Sequence, residues 1–152
     1  MAEFEMSVEI NRPAQIVFDF LVRPANLERI SPPGAEMEFI DPPEVFAAGT
    51  VFEFHLGGFG PVQRIKHEIT ELQAPLRYVE TLLKGPLQAW VHEHIIEPKS
   101  DSEVVVIDRI EFEPPGGFVG FLVNEDKILH SLRKGFAHRH RELKRLLEQD
   151  AG

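Results

Sequence analysis

The sequence predicts an α+β fold: a curved seven-stranded antiparallel sheet wrapped around one long C-terminal helix, with two short helices after the first strand. Three observations predict it. Residues 4–10 alternate apolar and acidic or polar side chains, the period of a half-buried strand. Residues 35–112 are cut by turn signals into six short strands whose connections are too tight for helical crossovers. Residues 124–149 carry one apolar stripe at helical spacing. The whole chain, residues 1–152, suits one domain.

In the opening strand Phe4, Met6, Val8 and Ile10 share one face and Glu5, Ser7 and Glu9 the other. Asn11 offers a helix N-cap, Pro13 fits a first helical turn, and Ile16, Val17, Phe20 and Leu21 form a helical stripe. Pro24 begins a second short helix through Leu27 and Ile30, which Pro32, Pro33 and Gly34 end. Turn signals then recur at Asp41-Pro-Pro, Ala48-Gly49, Gly57 to Pro61, Ala74-Pro75, Gly85-Pro86 and Pro98 to Ser102, and Pro114 to Gly117 closes the sheet. In the last segment Asn124 stands at an N-cap, Glu125 and Asp126 suit the positive helix end, and Ile128, Leu129, Leu132, Phe136, Leu143, Leu146 and Leu147 form the stripe. Gly135 interrupts this helix at a cost of about 1 kcal/mol relative to alanine.

Composition excludes several function classes. The net charge of −9 works against nucleic-acid binding, and seven of the 16 lysines and arginines lie beyond residue 124, where a solvated helix face is favoured over a lipid-binding patch. Zero cysteines exclude disulfides, zinc-thiolate sites, iron–sulfur clusters and thiol nucleophiles. No serine sits in a nucleophile elbow, Gly57-Gly-Phe-Gly-Pro61 is not followed by a helix as a dinucleotide loop requires, and neither a P-loop nor an EF-hand spacing occurs. Residues 1–10 lack the features of a secretory signal and no run is long enough for a membrane span, so a cytoplasmic location is expected.

Three stretches carry a family resemblance: residues 8–21, VEINRPAQIVFDFL; residues 85–94, GPLQAWVHEH; and residues 106–115, VIDRIEFEPP. Together with the element order they resemble the helix-grip superfamily, often called SRPBCC or START-like, and its polyketide cyclase/dehydrase-like branch. The resemblance implies a cavity between sheet and long helix that takes a small hydrophobic or aromatic molecule. It implies no cofactor, and only some members are enzymes, namely cyclases, dehydratases or aromatases.

Trp90, His92, His94 and Ile96 alternate with Ala89, Val91, Glu93 and Ile95 and share one strand face. The resemblance implies that this face looks into the cavity. A hairpin turning at Lys99 to Ser102 with Ile96 opposite Val104 sets His94 opposite Val106, His92 opposite Asp108 and Trp90 opposite Ile110; a slip of one residue instead puts Arg109 opposite His92 and sends Asp108 to the other face. In the first register Asp108 would orient His92 as a general base, making His92, His94 and Asp108 the candidate catalytic residues. Against this stands the plainer reading, favoured here, of two histidines satisfied inside a polar-lined binding cavity. A metal reading needs a third ligand beside the His-x-His pair; His67 and Asp108 are available without diagnostic spacing, so no metal is assigned.

Phe52, Phe54, Leu56, Trp90, Ile96, Ile110, Leu129, Leu132 and Phe136 are the candidate ligand-binding residues, with Phe118 and Phe121 flanking the mouth. His55 and His138 read as exposed, and His130 and His140 lie at the border of the helix stripe. The favoured function is binding of a lipid- or polyketide-like small molecule; the alternative is a cyclase-type enzyme using a His-Asp base. A homodimer through a sheet edge or the convex face finds little support, because no exposed apolar stripe is evident.

Overall fold

The computed structural model describes residues 1–58 and 61–149. The chain runs β1 (Ala2–Ile10), α1 (Ala14–Leu21), α2 (Pro24–Arg29), β2 (Met37–Ile40), β3 (Val51–Leu56), β4 (Gln63–Gln73), β5 (Arg77–Lys84), β6 (Ala89–Ser100), β7 (Glu103–Glu113), α3 (Gly117–Leu122) and α4 (Glu125–Gln149). The seven strands form one antiparallel sheet in the order β1-β7-β6-β5-β4-β3-β2. Strands β2 to β7 are sequential hairpins, and α1 and α2 carry the chain between the two edge strands. The expected fold class is the observed one.

Local chemistry accounts for most boundaries. Phe4 and Ile10 are buried while Glu3, Glu5, Ser7 and Glu9 are exposed, so β1 keeps its period of two. Asn124 caps α4 as expected, its Oδ1 accepting from the Lys127 amide at 3.0 Å. Asn11 is not the α1 cap: Pro13 holds that position with extended backbone, and the Asn11 amide instead donates to the Glu148 carboxylate at 2.9 Å. The α1 stripe also shifts, with Val17, Phe18 and Leu21 buried and Ile16 exposed. Phe18 turns inward because the Tyr78 ring meets it edge-on at 6.2 Å.

Helix α4 lies against β1, where the Lys144 ammonium donates to the Glu9 carbonyl at 2.8 Å. Its inward side chains divide between two apolar clusters. Leu143 and Leu147 join the larger, built around Phe39, Phe46, Phe52, Phe54 and Tyr78. Ile128, Leu129, Leu132 and Phe136 join the smaller, with Phe4, Trp90, Ile110 and Phe112. Gly135 leaves ordinary contact room for a methyl group beside Pro32, so packing does not require glycine there.

Two further expectations are corrected. The β6–β7 hairpin pairs to its tip, with Ser100 opposite Glu103 and Lys99 bulged, so that Ile96 faces Val106, His94 faces Asp108, His92 faces Ile110 and Trp90 faces Phe112. The register is thus two residues from the expected one, which keeps every side chain on its expected face. Phe118 and Phe121, expected to flank the mouth, lie on a further helix absent from the expected element order, α3, whose Phe118, Val119, Phe121 and Leu122 are 79%, 54%, 84% and 56% exposed. An exposed apolar patch therefore exists where none was evident. Of the Gly57 to Pro61 run, Phe59 and Gly60 lie outside the described residues.

Tyr78 ties the sheet to α1: fully buried, it donates its hydroxyl to the Leu21 carbonyl at 2.8 Å. Tyr78→Phe leaves that carbonyl unpaired, and we expect a loss of about 1–3 kcal/mol in unfolding free energy by chemical denaturation. A change below about 0.5 kcal/mol would show that the bond contributes nothing net.

Candidate functional site

Four adjacent strands each aim a polar side chain at the concave face: His67 from β4, Glu80 from β5, His92 and His94 from β6, and Asp108 from β7. Glu80 is the direct cross-strand partner of His92, and Asp108 of His94. His140 reaches the same point from α4. All six residues are buried.

Their hydrogen bonds form two runs, one through Glu80 and one through Asp108. A carboxylate only accepts, so each nitrogen bonded to it must carry a hydrogen. Glu80 Oε2 accepts from His67 Nδ1 at 2.8 Å and Oε1 from His94 Nε2 at 2.6 Å. Asp108 Oδ1 accepts from His92 Nε2 at 2.7 Å and Oδ2 from His140 Nε2 at 2.6 Å. The second nitrogen of His92 stands 3.3 Å from Glu80, and the second of His94 stands 3.4 Å from Asp108 without a hydrogen bond. The His92 and His94 rings stack at 3.7 Å between centroids, and Tyr78 stacks on His94 at 4.0 Å.

Electrostatics follow from this geometry. Burial alone would raise the pKa of Glu80, but hydrogen bonds from His67, His92 and His94 outweigh it and hold the carboxyl well below its usual range. Asp108 is likewise held well below its range, burial being overcome by His140, His92 and the nearby Arg139 charge. His92 is pulled down by burial yet ends above the ordinary histidine value, because Asp108 and Glu80 face its two nitrogens. Burial and the charge on His92 lower His94 to about 4. The two carboxylates thus favour the charged form of His92, and burial beside that charge favours the neutral form of His94.

The expected site residues fall into three groups. His92, His94 and Asp108 come together, and the His92–Asp108 bond forms diagonally across the register rather than between direct partners. Phe52, Phe54, Ile96 and Ile110 are buried in the two apolar clusters, with Phe52 and Phe54 meeting the His67 ring edge-on at 5.8 and 5.1 Å. Leu56, Trp90, Leu129, Leu132 and Phe136 are half-buried, the last four making an apolar wall in which Phe136 touches His92 at 5.5 Å between ring centroids. His55 and His138 are half-buried rather than exposed, and His130 is exposed.

Sequence reading missed Glu80 altogether and weighed His67 and His140 too lightly. The available signals were slight: Glu80 alternates in phase with Tyr78 and Leu82, and His140 lies four residues after Phe136. Glu80, His92 and His94 also present ligand atoms within 4.8 Å of one another, the donor set of a metal centre.

Beside the wall an open cleft of about 470 Å3 lies between Gly58, Leu122 and Val123 on its apolar side and Asp126, Lys127, His130 and Ser131 at the start of α4. Gly58 has φ +102°, and a Cβ there would stand 2.6 Å from the Gly34 carbonyl oxygen, so only glycine fits this rim. Among the described residues, the buried donors Trp90 Nε1 and Arg139 Nη2 near the wall find no partner, the Arg139 guanidinium lying 5.4 Å from the Phe136 ring.

Residues 1–148 match the family model described as polyketide cyclase / dehydrase and lipid transport. The chain belongs to this family. No curated protein sequence matches it. Among solved structures it is similar to the Zhui aromatase/cyclase from Streptomyces sp. R1128, with TM-score 0.79 at 13% identity, covering 99% of this chain and 96% of that one. A protein from Thermus thermophilus gives TM-score 0.76 at 13% identity over 99% of this chain and all of that one. A Chromobacterium violaceum protein gives 0.75 at 14% identity over 96% and 97%. These likenesses establish the helix-grip fold. No helix among the described residues is long and apolar enough to cross a membrane.

The shifted groups set a pH dependence of stability. His94 is lowered to about 4, so its contribution is present above about pH 6.5 and is lost as pH falls toward 4. His92 is raised, so its contribution is full below about pH 6.5 and is lost as pH rises through its folded value. We expect unfolding free energy, measured by denaturant titration in chelator-containing buffer, to peak near about pH 6–7; a flat profile from about pH 5 to 8 would contradict the charge assignment. Asp108→Asn leaves the His92 charge short of a partner and should cost about 3–5 kcal/mol in the same assay at about pH 6.5.

Proposed function

We propose that the protein binds a small, largely apolar or aromatic molecule bearing a hydrogen-bond acceptor, held against the Trp90, Leu129, Leu132 and Phe136 wall and entered from the α3–α4 cleft. The observation that carries this reading is the buried, unpartnered indole N–H of Trp90 in an otherwise apolar wall. A buried donor without a partner costs about 1–3 kcal/mol, which a ligand acceptor would recover. Apolar contact supplies the remaining attraction at about 25 cal/mol per Å2 buried. The family description, which names both cyclase/dehydrase and lipid transport, agrees with such a ligand.

A second reading, a cyclase or dehydratase in which His92 removes a proton alpha to a carbonyl, draws on the His92–Asp108 bond at 2.7 Å. It requires His92 to turn one nitrogen away from a carboxylate, since both now face one. The binding reading needs no such rearrangement and is preferred.

Trp90 is the only tryptophan in the chain, so its fluorescence reports on this wall directly. Titration with 8-anilinonaphthalene-1-sulfonate should change Trp90 emission saturably, and Phe136→Ala should weaken that binding by about tenfold or more, the effect of some 1.4 kcal/mol. Native mass spectrometry of gently purified protein should show an organic molecule released on denaturation. No saturable change together with only the bare chain mass would overturn the proposal.

A further inference from the structure

Six buried polar residues are more than a small apolar ligand needs, and their arrangement has an order of its own. Glu80 Oε1, His92 Nδ1 and His94 Nε2 converge from neighbouring strands, whereas the other nitrogens of both histidines point away toward Asp108. We infer that Glu80, His92 and His94 form a binding site for one divalent transition-metal ion, with Asp108, His67 and His140 as its supporting shell.

The distances fit two layers. Ligands held at about 2.0–2.1 Å around a tetrahedral ion stand about 3.3 Å apart. Glu80 Oε1 and His92 Nδ1 are already 3.3 Å apart, and the 2.6 Å from Glu80 to His94 would have to open by about 0.7 Å. Metal-bound imidazoles nearly always give their second N–H to a carboxylate, and metal-bound carboxylates are themselves hydrogen-bonded. Both features are present: Asp108 takes His92 Nε2 at 2.7 Å and lies 3.4 Å from the otherwise unpartnered His94 Nδ1, and His67 holds the free oxygen of Glu80 at 2.8 Å. His140 fixes Asp108 from α4 at 2.6 Å.

Charge and softness name the class of ion. Binding requires His92 Nδ1 to give its proton to solvent and the His94 proton to move from Nε2 to Nδ1, which faces Asp108; the two carboxylates then balance the two positive charges of the ion, and two imidazoles with one carboxylate suit Zn2+, Fe2+ or Co2+ better than Mg2+ or Ca2+, which prefer oxygen. The site adjoins the apolar wall, the Trp90 and Phe136 rings standing edge-on to His92, but none of the wall residues is a ligand in it.

The test uses untagged full-length protein, expressed and refolded with Zn2+ or, as a spectroscopic probe, Co2+. We expect one equivalent per chain to survive gel filtration, Co2+ to give the absorption of a nitrogen–oxygen site, and a chelator to reverse both. Asp108→Asn should weaken binding by about 10- to 100-fold, and His92→Asn with His94→Asn should abolish it, while His55→Ala changes nothing. Histidine-ring NMR of the wild type covers variants that fail to fold: Zn2+ should move the His92 and His94 ring nitrogens. Folded wild type that retains no metal, a double variant that keeps a full equivalent, or shifts confined to His55, His130 and His138 would each overturn the inference; the fluorescence titration of Trp90 reports separately on the apolar site.

Discussion

Two ionised carboxylates lie inside the curl of the sheet, and the middle of the molecule is organised around keeping them satisfied. An unpaired charge there would cost several kcal/mol, so Glu80 and Asp108 persist only because four histidines and their exact strand positions surround them. The register of β5 on β6 and of β6 on β7 is thereby tied to the polar layer as well as to the apolar pattern: a slip of β6 by one residue would turn both its histidines out and leave Glu80 with His67 alone and Asp108 with His140 alone.

This polar layer also explains why the apolar interior is divided. The larger cluster ends at Tyr78 and His67, the smaller at Trp90 and Phe136, and aromatic rings of both lie edge-on or stacked against the histidines. Helix α4 closes both clusters and the layer at once, Leu143 on one side, Phe136 on the other and His140 between. A helix that seals a polar core in this way is held by directional bonds as well as by area, which is a sound basis for a defined site.

The face near α3 has a different character. Apolar side chains there are half-buried or exposed, and the rim depends on a glycine in a conformation that other residues rarely adopt. The molecule thus sets a buried, hydrogen-bonded polar centre beside a more exposed apolar margin.

Strand period, turn residues and the α4 stripe were enough to determine the seven strands, the sheet class, α1, α2 and α4, and to set Trp90, His92 and His94 on one face, because these are properties of neighbours in sequence; that this face is the inner one rested on the family resemblance. Asp108 was legible because a hairpin brings it near His92 whichever even register the strands take. Glu80, His67 and His140 were not, since their meeting depends on four strands and a helix converging at one point, over separations of 13 to 32 residues. The bulge at Lys99, the inward turn of Phe18 and the exposed apolar α3 were likewise decided by tertiary packing: each depends on which surface another element covers, and no local pattern encodes that.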